Sequence, residues 1–82
     1  VKVCARYFAL YRERVGGNTE SFDLPAAAAV GDLVAAIMRR HPNFCPDPSR
    51  VVVAVNRVYV DHAHALKDGD EAALIPPVSG GA

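Results

Sequence analysis

Eighty-two residues allow one domain with one modest core. Nine Lys and Arg balance nine Asp and Glu, so no excess charge draws the chain to nucleic acid or to an anionic membrane. Hydrophobic residues make up 51% of the chain, yet no apolar run approaches the ~20 residues of a membrane span and no signal-peptide pattern opens it; a cytoplasmic protein is expected.

Val1 to Tyr7 alternates, with Val1, Val3, Ala5 and Tyr7 on one side and Lys2, Cys4 and Arg6 on the other, which predicts a strand with one buried face. From Phe8 to Val15 the apolar positions Phe8, Tyr11 and Val15 recur at near-helical spacing, so one or two helical turns follow, ended by Gly16-Gly17. Gly16-Gly17-Asn18 lacks the Lys and Ser/Thr of a phosphate loop and reads as a turn. Thr19 to Leu24 predicts a second strand, with Phe22 and Leu24 inward and Glu20 and Asp23 in water. Pro25 ends it. Val30, Leu33, Val34, Ile37, Met38 and His41 then mark the clearest amphipathic helix of the chain. Asp32 in its first turn and Arg39-Arg40 in its last suit the helix dipole, and Pro42 stops it. Its N-cap falls near Ala29, which has no capping oxygen, so a weak start is expected.

Asn43 to Arg50, with Pro46 and Pro48, predicts a loop. Val51 to Val55 is a β-branched strand, Asn56-Arg57 a tight turn, and Val58-Tyr59-Val60 a short returning strand. Lys67-Asp68-Gly69-Asp70 turns into a last strand, Glu71 to Ile75. One helix on one face of a mixed sheet closes this order of elements, an α+β fold in which the first and last strands would lie side by side in the middle.

After the last strand the chain continues as Pro76-Pro77-Val78-Ser79-Gly80-Gly81, followed by Ala82. The prolines favour an extended path, and glycines without a Cβ enter channels that exclude other residues. From Pro77, the four further residues to Gly81 span roughly 13 Å when extended. Such a tail suits delivery of a terminal carboxyl group into a partner's pocket; the competing reading is a frayed chain end.

Tyr7-Phe8-Ala9 with Arg12-Glu13 and Gly16, Ala54-Val55-Asn56, Leu66-Lys67-Asp68-Gly69-Asp70-Glu71 and the terminal Pro-Pro-Val-Ser-Gly-Gly occur in an order and at intervals that resemble the small subunit of molybdopterin synthase. The resemblance covers nearly the whole chain. It implies a ubiquitin-like β-grasp of about five strands on one main helix over residues 1–77, with a C-terminal Gly-Gly tail over residues 78–82. It also implies sulfur carriage. A ubiquitin-activating-type adenylyltransferase spends ATP to adenylate the carboxylate of Gly81, and a sulfur donor system converts it to a thiocarboxylate. Inside the large subunit the sulfur then attacks cyclic pyranopterin monophosphate, and two deliveries build a dithiolene. Val78, Ser79, Gly80 and Gly81 would thread into the partner, and Pro76 and Pro77 would set their exit. The chain would bind no cofactor itself and would catalyse nothing alone. Phe8, Tyr59 and Ile75 are candidate contributors to a partner face; for Phe8 and Ile75 a core position is the preferred reading.

The family's chains end at Gly-Gly, whereas here Gly81 is followed by Ala82, which locks its carboxyl in a peptide bond. Ala82 reads as the remnant of a longer precursor, the start of a fused large-subunit domain, or an added residue; only a form ending at Gly81 is expected to be competent. Other clients (thiamin, thiolated tRNA or cysteine) and a ubiquitin-like interaction module without sulfur chemistry are the rival readings. His62 and His64 are weighed as a metal pair against ordinary surface histidines, and no metal site is expected, since zinc takes more ligands. Cys4 and Cys45 have no CxxC partner or adjacent base and fit a reducing compartment. Arg39-Arg40 reads as a helix-end charge pair, and Lys67 belongs to the Asp-Gly turn.

Overall fold

The computed structural model describes residues 1–76. In chain order the elements are β1 (Lys2–Tyr7), α1 (Ala9–Val15), β2 (Thr19–Asp23), α2 (Val30–Arg40), a 3₁₀ turn (Pro48–Arg50), β3 (Val52–Val55), β4 (Val58–Val60) and β5 (Glu71–Ile75). They form one sheet in the order β2-β1-β5-β3-β4, antiparallel except for the β1–β5 pair. The first and last strands therefore meet at the centre, as the expected β-grasp requires.

Alternation decides which side chains meet α2. Val3, Ala5 and Tyr7 of β1, Phe22 of β2, Val53 and Val55 of β3, and Ala72 and Leu74 of β5 share one face and are buried against Val30, Leu33, Val34 and Ile37. Successive strand residues point to opposite faces, so a pattern with period two on the sheet meets one with period 3.6 on the helix.

Ala29 contributes no capping side chain, as its methyl predicts, yet the helix start is not weak. The Asp32 carboxylate accepts from the Ala29 amide at 2.8 Å. The amides of Val30 and Gly31 donate to the carbonyls of His64 and His62, each at 2.9 Å. The segment between β4 and β5 thus satisfies donors that a helix end leaves unpaired. Gly31 permits this approach, since a Cβ there would lie 3.4 Å from the His62 carbonyl oxygen.

One core residue was passed over in the sequence, and one expectation is corrected. The loop after α2 carries a core residue: Phe44 is fully buried, stacked on Tyr11 with ring centroids 4.3 Å apart and meeting Tyr7 edge-on at 5.7 Å. It closes the end of the core that the sheet and α2 leave open, and Arg14 pins it by donating to its carbonyl at 2.9 Å. Glu20, expected in water, is half-buried. Its Oε1 accepts from the Tyr7 hydroxyl at 2.7 Å and from His41 Nε2 at 2.8 Å, while Arg40 lies 3.7 Å from Oε2. A carboxylate only accepts, so His41 carries its proton on Nε2. Burial pushes the Glu20 carboxyl up, but the bonds from Tyr7 and His41 and the neighbouring His41 and Arg40 charges outweigh it and hold the group below its ordinary range. The Tyr7 phenol moves the opposite way, raised first by burial and then by the Glu20 carboxylate.

Candidate functional site

The other face of the sheet is built from the residues between the buried ones. Register places Val52 beside Ile75, and Ala54 between Ala73 and Tyr59. On β1, Cys4 and Arg6 lie on this face, opposite Glu71 and Ala73. Tyr59 is 71% exposed and Val52 37%. Ala54 is buried but stands outside the core cluster, because its small side chain points to this outer face and is shielded by its neighbours. The outcome is an apolar surface over β3, β4 and β5, bordered on β1 by the Arg6–Glu71 ion pair at 3.5 Å. That pair is solvated on both sides and adds little to stability.

Phe8 belongs to this outer surface and not to the core, being 41% exposed. The helical spacing that placed it inward assumed a helix running through Phe8. Instead α1 starts at Ala9, and Phe8 keeps an extended backbone (φ −124°, ψ 153°). Strand alternation therefore carries on one residue past the inward Tyr7 and turns Phe8 outward. Since Tyr7 is level with Leu74, Phe8 is level with Ile75. The chain then turns through Ala9, whose φ of 49° is an uncommon conformation for alanine. Ile75 is half-buried, neither a core residue nor a fully open one. Val52 went unnoticed within a run of valines, although the alternation Val51 in, Val52 out, Val53 in was open to view.

Pro76, half-buried, follows Ile75 at the end of the central strand. The residues that would thread into a partner, Val78, Ser79, Gly80 and Gly81, lie outside the described residues, as do Pro77, expected to set their exit with Pro76, and Ala82. What the structure supplies is their origin: the middle of the sheet, at the edge of the apolar outer face.

The opposite end of β5 is locked. Asp70 is buried and accepts from the Lys67 amide at 2.8 Å and from Asn56 Nδ2 at 2.9 Å; its neighbour Glu71 donates its amide to Asn56 Oδ1 at 3.0 Å, and its carbonyl accepts from the Asn56 amide at 2.8 Å. The Lys67 amide first, and Asn56 next, hold the Asp70 carboxyl below its ordinary range against the opposing effect of burial. Asn56 and Arg57 both have positive φ (50° and 73°), the backbone of a two-residue hairpin turn matched to strand twist.

The remaining candidates have structural partners. His62 Nε2 donates to the Val51 carbonyl at 2.7 Å, while His64 is exposed. Among the described residues no group of three or more His, Cys, Asp or Glu is placed to hold a metal ion. Cys45 is buried with its sulfur 3.8 Å from that of Met38, and burial pushes its thiol up, away from the reactive thiolate. Cys4 is half-exposed on the outer face. Arg40 lies over the Phe22 ring, 4.1 Å from its centroid, so the expected helix-end charge also packs.

A profile of the ThiS family matches residues 5–81. The molybdopterin synthase sulfur carrier subunit of Chlamydomonas reinhardtii is 46% identical over 77 residues, covering 92% of this chain and 93% of the relative. The structure of a putative molybdopterin converting factor, subunit 1, from Pyrococcus furiosus superposes with a TM-score of 0.84 at 40% identity, covering 95% of this chain and 99% of that one. A chain in the protein–protein complex of subunits 1 and 2 of the Helicobacter pylori molybdopterin-converting factor superposes with a TM-score of 0.67 at 25% identity, over 98% of this chain and 99% of that one.

Proposed function

Because the chain belongs to the ThiS family, we propose that it is the sulfur carrier subunit of a molybdopterin synthase, working in molybdenum cofactor biosynthesis. The observation that carries this reading is the end of β5: a central strand that stops at Ile75-Pro76 beside an apolar outer face, with the family match running on through Gly81. The large subunit covers that face, with Phe8, Val52, Tyr59 and Ile75 as its apolar contacts, and receives the tail from Pro76 and Pro77 onward. The assembly of subunits 1 and 2 in the Helicobacter pylori factor supports such a partner.

The chemistry is that of the Gly81 carboxyl group. A carboxylate is a poor electrophile, so an adenylating partner uses ATP to convert it to an acyl adenylate with AMP as leaving group. Sulfur displaces AMP and leaves a thiocarboxylate, whose sulfur attacks cyclic pyranopterin monophosphate in the large subunit. Gly81 has no side chain to crowd the acyl carbon. Tethering replaces free sulfide with a positioned nucleophile, an entropic gain. The catalytic groups come from the partners; this chain supplies the docking face and the reactive end. Ala82 must be absent, because a peptide bond at Gly81 leaves no carboxylate to adenylate.

Intact-mass measurement after incubation with the adenylating partner, ATP and a sulfur donor tests the reading. A chain ending at Gly81 gains the mass of one oxygen-to-sulfur exchange, and the chain retaining Ala82 does not. A thiocarboxylate on the longer form, or none on the shorter, overturns it. Co-purification with the large subunit separates this client from the other sulfur pathways.

A further inference from the structure

The open sheet has two edges, β2 and β4. The β2 edge is partly covered: Arg40 of α2 lies over the Phe22 ring and donates to the Ser21 carbonyl at 3.4 Å. The β4 edge is open among the described residues, with Val58 62% and Tyr59 71% exposed. Its backbone direction follows from the register. The Asn56 amide donates to the Glu71 carbonyl, so Ala54, two residues earlier on the same strand, also turns its amide and carbonyl toward β5. Ala54 is the partner of Tyr59, and Tyr59 therefore has no main-chain bond across the hairpin. The Val55–Val58 pair that closes the two-residue turn, and the Val53–Val60 pair beyond it, carry the β3–β4 ladder. The N–H and C=O of Tyr59 thus point outward from the free edge. Two residues to either side stand Arg57 and Asp61, both exposed and neither in an ion pair among the described residues.

We propose that two copies of this chain pair β4 to β4 across this edge, antiparallel and centred on Tyr59, so that their sheets become one continuous sheet. The stretch Arg57-Val58-Tyr59-Val60-Asp61 is its own complement in that register. Tyr59 of one copy faces Tyr59 of the other, and each amide donates to the opposite carbonyl. Val58 faces Val60 on both sides of that centre, and Arg57 faces Asp61 on both sides. Charge complementarity therefore selects a second copy as the occupant and fixes how it lies. Parallel pairing would set arginine against arginine and aspartate against aspartate, and an antiparallel slip by two residues would separate Arg57 from Asp61. The pairing uses the same surface on both copies, so it closes with two-fold symmetry and leaves no β4 edge for a third. A three-residue strand makes a small interface, well under the ~1,200 Å² of stable complexes, so the dimer is weak and forms at high protein concentration. Nothing in this pairing depends on sulfur chemistry or on the Gly81 carboxyl group.

Sedimentation equilibrium of the full chain from about 20 µM to about 2 mM, a range that brackets weak association, tests this together with amide exchange read residue by residue. Wild type is expected to show a monomer–dimer equilibrium that weakens with added salt, and the Tyr59 amide is expected to gain protection as concentration rises. Arg57→Asp sets carboxylates against Asp61, and Asp61→Arg sets guanidinium groups against Arg57; each variant alone is expected to associate at least ~10-fold more weakly than wild type. An equimolar mixture of the two is expected to recover the association, because opposite charges meet again at both positions, a recovery that damage to either fold does not produce. Thermal unfolding checks that each variant folds. Asp61 Oδ1 also accepts from the Ala63 amide, so if Asp61→Arg does not fold, Tyr59→Pro takes its place: it removes the outward amide while Val58 and Val60 keep their ladder bonds, and the dimer is expected to be lost. A chain that stays monomeric up to about 2 mM overturns the proposal. So does a dimer indifferent to Arg57→Asp and Tyr59→Pro, or protection of the Tyr59 amide only when the large subunit is added. Either result leaves the sulfur-carrier reading to its own test.

Discussion

The two faces of the sheet share five strands and one alternation but end in different states. On the inner face Val3, Ala5, Tyr7, Val53, Val55, Ala72 and Leu74 are sealed by α2, with Phe44 closing the end. On the outer face Phe8, Val52 and Tyr59 remain exposed, although nothing in their chemistry separates them from core residues. Among the described residues one helix is long enough to cover a sheet face, and it packs on the inner one. A domain this small gains its stability from one side and presents the other, and large apolar side chains clustered in water mark an interaction surface.

Breaking the inner face gives the largest effect. Phe44→Ala removes a ring with no exposure and leaves Tyr7 and Tyr11 facing a cavity, so a loss of about 3–5 kcal/mol in urea unfolding is expected. A loss below about 1 kcal/mol would show that the loop closes over the gap and that Phe44 is no part of the core. Next comes the locked end of β5. Asp70→Ala leaves the Lys67 amide and Asn56 Nδ2 without their acceptor and is expected to cost about 2 kcal/mol, read as a shift in midpoint at unchanged m-value.

The outer face should respond in the opposite way. Tyr59→Asp is expected to change stability by no more than about 0.5 kcal/mol while weakening capture by the large subunit at least ~10-fold, a split visible by pairing calorimetry with thermal unfolding. Equal loss of both would merge the two faces into one structural role. The smallest effect is electrostatic. Glu20 is held below its unfolded value of about 4.3, so its contribution is present above that pH and is lost as pH falls through the lower folded value. The unfolding midpoint should drop as the solution is acidified below about pH 5, and Glu20→Gln, which keeps an acceptor but no charge, should make that fall shallower at a cost of about 1 kcal/mol near neutrality. The slope should not vanish, because Asp70 is shifted in the same direction. An unchanged slope would show that the carboxylate between Tyr7 and His41 carries no net stabilisation.

The legible parts of the molecule were the periodic ones. The alternation from Val1 to Tyr7 and the apolar stripe of Val30, Leu33, Val34 and Ile37 placed β1 and α2 on their buried faces, and Asn56-Arg57 announced its turn. Hidden parts were those in which one element depends on another. Phe44 lies in a proline-rich loop with no period to mark it, and Glu20 reads as solvent-facing until His41 is brought to it from 21 residues away. The start of α2 looked uncapped because its acceptors come from His62 and His64, on a segment more than 30 residues later.

By itself, then, the sequence determined which residues are strand and helix, which face of each is apolar, and that the last strand runs on into Pro-Pro-Val-Ser-Gly-Gly. These are local properties, written in side-chain period and backbone permissiveness. Tertiary structure decided which apolar face is covered and which is left for a partner. It turned Phe8 outward by starting α1 one residue later than the spacing implied. It also set β5 in the centre, so that this strand ends at Ile75 level with Phe8 and Val52. Those outcomes rest on pairing between segments as far apart as β1 and β5, and no local pattern encodes which of two apolar surfaces the single helix will cover.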